Sequence, residues 1–301
     1  MLIKKGCEMK NILPLLIFLL FYSLTINSQE NNKPSAEYRI ISLDNSATEI
    51  LYQLELGKFI IGRDSTSKFP IEALQIKTVG DHGKLNNEAI LSLKPTHIII
   101  NDTIKTEQIK QISGLSNISI ITLSSTPNFK TALEKITNLS GEFNKIELGK
   151  ALCEKITKEY EELEVKKNSL KTSPQKVLCV YLRGKNSMFI LGEDSGAVGL
   201  CKTTGAKLCF PDLKSPKPLN TEALISANPD VYIVFTSGLE TIGGIEGFLE
   251  IPGVSATKGG QNKRVVSVDG QLLNTFGPRT GEAANKMFVA INESSGYIEV
   301  K

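Results

Sequence analysis

Leu85-Asn-Asn-Glu88-Ala-Ile-Leu-Ser-Leu-Lys-Pro95-Thr-His-Ile-Ile-Ile100 occurs twice in this chain in nearly the same form. The second copy, Leu219-Asn-Thr-Glu222-Ala-Leu-Ile-Ser-Ala-Asn-Pro229-Asp-Val-Tyr-Ile-Val234, lies 134 positions downstream. Leu, Asn, Glu, Ala, Ser, Pro and one Ile coincide, and most other pairs exchange one apolar residue for another. A repeat at this spacing means two similar lobes. Each copy carries an Asn able to cap a helix and a Glu in the first turn, where the helix dipole favours negative charge. Pro95 and Pro229 end the helix, and the β-branched and aliphatic run after each reads as a buried strand. The unit is therefore short helix, turn, parallel strand.

The rest of the chain extends this pattern. Arg39 to Leu43 reads as a strand, Asp44 to Glu49 opens a helix whose Asn and Ser residues can cap it, and Phe59 to Ile61 is a second strand. Ile98 to Ile100 and Ile118 to Leu123 follow, separated by a helix rich in Lys and Gln. Strands alternating with helices argue for a mainly parallel sheet. From Asn144 to about Lys171 apolar residues (Ile146, Leu148, Leu152, Ile156, Tyr160, Leu163) recur at helical steps, with Gly149 the only Gly or Pro. At roughly 40 Å this helix is too long for a routine crossover, and it lies between the two repeat copies. It reads as a bridge between an N-terminal lobe, residues 29–143, and a C-terminal lobe, residues 172–301. In the second lobe, Val177 to Leu182 opens the sheet, a helix covers Ala197 to Thr203, Arg264 to Val268 is the last strand, and Thr280 or the turn before it caps a terminal helix.

Composition sets further limits. Residues 1–28 place Lys4, Lys5 and Lys10 before an apolar run from Ile12 to Leu20, with small and polar residues near Ser28, which is the pattern of a secretory signal peptide. The apolar run is shorter than the roughly 20 residues of a spanning helix. Its removal takes away three lysines and Glu8 and lowers the formal charge from +3 to +1. No basic concentration points to a nucleic-acid binder. Cys201 and Cys209 can bridge across a short loop in an oxidising compartment, whereas Cys153 and Cys179 read as buried small hydrophobes. With two histidines, no tryptophan, no nucleophile elbow and no phosphate or dinucleotide loop, the chain shows no catalytic machinery.

Of the histidines, His97 heads a buried strand and reads as a hydrogen-bonded structural residue. His82 lies in the polar loop Val79-Gly-Asp-His82-Gly-Lys84, of the kind that lines the ligand crevice in open α/β sheets. It is either a solvated loop histidine or an axial ligand for iron. Glu88 and Glu222 are helix-start carboxylates, and as a matched pair also two acidic knobs able to meet two basic pockets on a two-fold partner.

An ordered set of motifs then carries a resemblance: Arg39-Ile-Ile-Ser with Thr48-Glu-Ile50, Gly62-Arg-Asp-Ser-Thr-Ser67, Leu85 to Pro95, Gly238-Leu-Glu-Thr-Ile-Gly-Gly244, Pro252-Gly-Val254, Arg264-Val-Val and Phe276-Gly-Pro-Arg-Thr280. From about residue 38 onward the chain resembles the periplasmic hemin-binding proteins of bacterial ABC importers. The resemblance implies an α/β fold of two lobes joined by one long helix, of the class III periplasmic-binding type. It further implies a periplasmic monomer that holds heme between the lobes and delivers it to a membrane permease docked through Glu88 and Glu222. Arg279, Arg63 and Lys84 are the implied propionate partners. The family generally has a tyrosine after the Val-Gly matching Val79-Gly80 and an arginine two residues on, where this chain has Asp81 and Gly83. His82 and Lys84, one place along, keep that spacing, so His82 is the expected axial ligand, with Met188, Tyr181 or Arg183 approaching the second face. A corrinoid or ferric siderophore is the alternative cargo, and a secreted enzyme the alternative of another class.

Overall fold

The structure, a computed structural model, describes residues 38–81, 84–104, 118–184, 187–274, 276–293 and 295–300. The expected signal peptide, the Lys- and Gln-rich helix after Ile104 and His82 lie outside them.

In the first lobe, β1 (Ile40–Ser42) leads into α1 (Asn45–Gln53) and β2 (Ile60–Arg63). A two-stranded hairpin, β3 (Gly80–Asp81) with β4 (Lys84–Leu85), precedes α2 (Asn87–Ser92), β5 (His97–Asn101), β6 (Ser119–Leu123) and α3 (Phe129–Glu142). Strands β2, β1, β5 and β6 form one all-parallel sheet in that order. Its central strands are almost continuously buried, because helices and loops cover both faces of a parallel sheet. The α1 cap is Asp44, whose carboxylate accepts from the Ala47 amide, rather than Asn45 or Ser46.

Next comes α4 (Ile146–Ser169), a 24-residue helix of about 36 Å that packs on α3 and on the last helix of the second lobe. Gly149 is explained at the α3 crossing: a Cβ there would lie 2.2 Å from Ser140 Oγ. Ile146, expected on the buried stripe, is exposed at the helix start.

The second lobe contains β7 (Lys176–Leu182), β8 (Met188–Ile190), α5 (Gly196–Thr203), β9 (Lys207–Leu208), β10 (Lys217–Pro218), α6 (Thr221–Ala227) and β11 (Val231–Phe235). Short helices α7 (Thr236–Glu240), α8 (Gly244–Leu249) and α9 (Lys258–Gln261) lead to β12 (Val265–Val268), α10 (Gly270–Asn274), α11 (Thr280–Asn292) and β13 (Ile298–Val300). Thus β12 is not the last strand; β13 adds to its free edge in parallel. The sheet order is β10-β8-β7-β11-β12-β13, with β9 also on β7, and β8 and β10 run antiparallel. Residue Thr280 is the first helical residue of α11, and its hydroxyl donates to the Gly277 carbonyl.

The repeat is visible in the backbone. Asn86 and Asn220 cap α2 and α6 through their side-chain oxygens, at 2.9 Å from the Ala89 amide and 2.8 Å from the Ala223 amide, each contact worth about 1 kcal/mol. Lys94 and Asn228, again 134 apart, both have positive φ, 48° and 43°. A positive-φ residue just past the last turn is a common way to end a helix, and the proline that follows each cannot continue it. The strands that follow, β5 and β11, both lie beside the first strand of their lobe.

Each lobe has its own apolar core, yet residues 39–301 form one compact unit. One close approach between lobes is at Gly199 of α5, where a Cβ would lie 2.3 Å from the Pro127 carbonyl oxygen.

Candidate functional site

In a parallel sheet, residues just beyond the carboxyl ends of the strands are free of the ladder and gather where the strand order reverses. In the first lobe these are Asp44 after β1, Asp64 after β2 and Asn101 at the end of β5. They line a cavity of about 740 Å³ whose opposite wall comes from the second lobe, with Glu193, Asp194, Lys214 and Phe276. A second cavity of about 530 Å³ shares Asn45 and Thr66 with the first and continues to Thr236, Glu240 and Gln271. The Gln271 side-chain amide donates to the Thr66 carbonyl, so one hydrogen bond crosses this crevice between the lobes. Thr236 Oγ1 is buried and has no hydrogen-bond partner among the described residues.

The floor of the larger cavity is a buried polar network. Asp44 accepts from Ser46 Oγ, from the Ala47 amide at 2.8 Å and from Asn101 Nδ2 at 3.2 Å. Lys135 Nζ, on the 4% exposed Lys135 side chain of α3, donates to Ser46 Oγ at 2.9 Å. Burial pushes the Asp44 carboxyl upward, but the Lys135 charge and the hydrogen bonds from Ser46, Ala47 and Asn101 outweigh it and hold the group below its usual range. On the opposite wall, hydrogen bonds from Lys202 and Lys214 draw Glu193 down to about 2. The lining is thus polar and charge-compensated.

Residues predicted from the sequence are placed as follows. Asp81, where the family's tyrosine is expected, lies opposite Lys84 in the backbone register of the β3–β4 hairpin, and its carboxylate accepts from Ser65 Oγ. Ser65 itself lines the second cavity, which brings the expected ligand hairpin to the crevice edge. The first propionate candidate, Arg279, is engaged by Glu49 of α1 at 2.6 and 2.9 Å and stacks on Phe69 with its guanidinium 3.9 Å from the ring centroid. Arg63 is 7% exposed and donates to the carbonyls of Ala73 and Asp64 within its own lobe. Met188, expected near the second ligand face, is 7% exposed in the apolar core with Leu224 and Tyr232. These three side chains are used internally.

Tyr181 and Arg183 differ, being exposed at the carboxyl end of β7. The Arg183 guanidinium lies 5.7 Å from the Tyr181 ring centroid and 5.6 Å from that of Phe189, and Tyr181 meets Phe235 edge-on. None of these candidates is among the described residues lining the two cavities. His97 sits as a structural histidine: Nδ1 is 2.8 Å from Thr96 Oγ1, and burial lowers its pKa more than the neighbouring Glu142 raises it. Glu88 and Glu222 are both exposed at the first turns of α2 and α6.

Sequence reasoning missed Asp44 and Asp64 as crevice residues. Each directly follows a strand, Ile40–Ser42 with Leu43 or Ile60–Arg63, and that position at a strand end is the signal that could have found them. Cys201 and Cys209 are not bridged; all four described cysteines are free. Cys201 packs with Cys179 on one face of the sheet, while Cys209 packs against the core on the other.

Two α/β lobes, one long helix between them and a crevice at the strand ends define a class III binding protein, a ligand-capturing scaffold. The chain belongs to the periplasmic binding protein family, whose model matches residues 40–272. Among characterised sequences it is similar to the high-affinity heme uptake system protein IsdE of Staphylococcus aureus, 26% identical over 235 residues, 76% of each chain. It is also similar to the uncharacterized ABC transporter substrate-binding lipoprotein YvrC of Bacillus subtilis, 24% identical over 84% of this chain and 79% of the relative. Of solved structures, the periplasmic heme-binding protein RhuT from Roseiflexus sp. RS-1, in apo form, superposes with a TM-score of 0.80 at 30% identity, over 85% of this chain and 98% of that one. The heme-binding protein BhuT in complex with two hemes gives 0.80 at 26% identity with the same coverage.

Proposed function

We propose that this chain is the extracytoplasmic capture component of an ABC importer, and that its cargo is heme held between the lobes. The observation that carries this reading is the crevice between the carboxyl ends of the two sheets, in a fold that superposes on heme-binding proteins along most of its length. The β3–β4 hairpin, with His82 between its described strands, supplies the axial ligand from the first lobe. Tyr181, Phe189 and Phe235 supply aromatic contacts from the second, with Tyr181 and Phe235 set edge-on, and Arg183 and Lys84 supply cations for the propionates. The exposed pair Glu88 and Glu222 docks the permease. Capture and release need no chemical conversion of the cargo, which agrees with a family of binding proteins.

The polar lining of the larger cavity favours a second reading. Asp44, Asp64, Asn101, Glu193 and Lys214 suit a hydrogen-bonding chelate, a corrinoid or ferric siderophore, better than a porphyrin edge. Titration with hemin separates the two. A Soret band that sharpens and saturates at a fixed stoichiometry supports heme; its absence, with retention of cobalamin or a ferric hydroxamate in equilibrium dialysis, moves the cargo to the second class. A band unchanged in His82→Ala removes His82 as the axial ligand.

A further inference from the structure

The second lobe buries two thiols in contact. Cys179 of β7 is 3% exposed and Cys201 of α5 is 0% exposed, with their Sγ atoms 3.5 Å apart. Both belong to the core between the sheet and helices α4, α5 and α11, with Leu163, Val177 and Met287. The separation is about 1.5 Å longer than a disulfide bond, so the two sulfurs are already in van der Waals contact. Neither thiol serves the crevice, and no group of His, Cys, Asp and Glu among the described residues is arranged to hold a metal that would explain the pair.

We propose that Cys179 and Cys201 are a disulfide-forming pair, a modification site that staples α5 to β7 when the chain folds in an oxidising compartment. One cysteine, as thiolate, attacks the disulfide of an oxidising dithiol catalyst or of glutathione disulfide and forms a mixed disulfide. The second displaces it, so one intramolecular S–S bond forms, two protons leave, and the two electrons reduce the oxidant to its thiols. The step belongs to folding rather than to the native state. In the folded protein, contact with Cys201 and burial hold the Cys179 thiol far above its usual range, and the thiolate is the reactive form. Cys209 is a poor competitor, because the native fold that selects the final pairing places it across the sheet from Cys201.

The inference goes beyond ligand capture and rests on that reading only for the oxidising compartment, which a refolding experiment replaces. The full chain is reduced, unfolded and refolded in a glutathione redox buffer, free thiols are alkylated, and peptides are mapped without reductant. The expected product is a Cys179–Cys201 cross-linked peptide pair with Cys153 and Cys209 alkylated. The melting temperature should stand about 5 °C or more above that of the chain refolded with reductant. That increment should vanish in the Cys179→Ala, Cys201→Ala double variant and persist in Cys209→Ala. Alkylated Cys179 and Cys201, or a bridge through Cys209, would overturn the proposal. Hemin titration of the reduced protein reads the binding proposal separately.

Discussion

Arg279, at the start of the terminal helix of the second lobe, donates two hydrogen bonds to Glu49 of the first, Nε to Oε2 at 2.9 Å and Nη2 to Oε1 at 2.6 Å. Glu49 is 2% exposed, so its charge depends on this partner. Burial raises the Glu49 pKa above the ordinary value and Arg279 offsets only part of it. A raised carboxyl means that the folded state holds the proton over a range where the unfolded chain has lost it. The stability contribution of this group therefore declines as pH rises through that range. Removing Arg279 widens the range. Arg279→Ala should cost about 3 kcal/mol in urea unfolding at neutral pH, less near pH 5, and change hemin affinity less than tenfold. A large affinity loss with unchanged stability would return Arg279 to the ligand.

Asp44 has the opposite sign. Its folded pKa lies below the ordinary 3.8, so its contribution to stability is full above that value and is lost as pH falls through the lower, folded one. Asp44→Asn leaves Lys135 buried without its counter-charge and should destabilise at pH 7 by about 3 kcal/mol. The gap between wild type and variant in denaturant midpoint should hold above pH 3.8 and shrink only as pH falls below it. A gap constant with pH would mean that Asp44 acts by shape and hydrogen bonds alone.

How much of this was legible beforehand divides along a physical line. Periodicity and turn chemistry are local, so the repeat, both Asn caps, the long helix and the parallel strands all showed in the sequence. The partners of Arg279, Arg63 and Met188 did not, because they lie far along the chain or in backbone carbonyls. An arginine destined for a buried carboxylate reads the same as one destined for a propionate. The resemblance supplied a motif position for Arg279, but Glu49, 230 residues away, decides what it touches. The Cys201 and Cys209 pairing failed for a related reason: short spacing says nothing about which face of a sheet each side chain takes.

The matched glutamates test the docking proposal. Glu88 and Glu222 sit at the same position of α2 and α6, both exposed, and neither lines the two crevice cavities. Charge reversal of both should leave the hemin titration unchanged and stability within about 0.5 kcal/mol, since exposed substitutions away from special features rarely exceed that. Transport by the cognate permease in proteoliposomes should fall at least tenfold. Normal uptake by the double variant would remove these residues from the interface.

Arg183 and Met188 sit one hairpin apart and make opposite predictions. Arg183 is exposed and held over Tyr181 and Phe189, so its guanidinium is free to turn toward an anionic ligand edge while its loss uncovers little. Arg183→Ala should weaken hemin binding by about tenfold, which is the loss of ~1.4 kcal/mol, and leave the unfolding midpoint nearly unchanged. Met188 is 7% exposed and packs in the apolar core under the sheet. Truncation to Ala should cost about 2–3 kcal/mol of stability through the cavity it leaves, with hemin affinity preserved in the folded fraction. Binding and stability measured on the same two variants separate a ligand-facing side chain from a structural one. If Arg183→Ala binds hemin like the wild type, the aromatic cluster at the end of β7 is not part of the heme site.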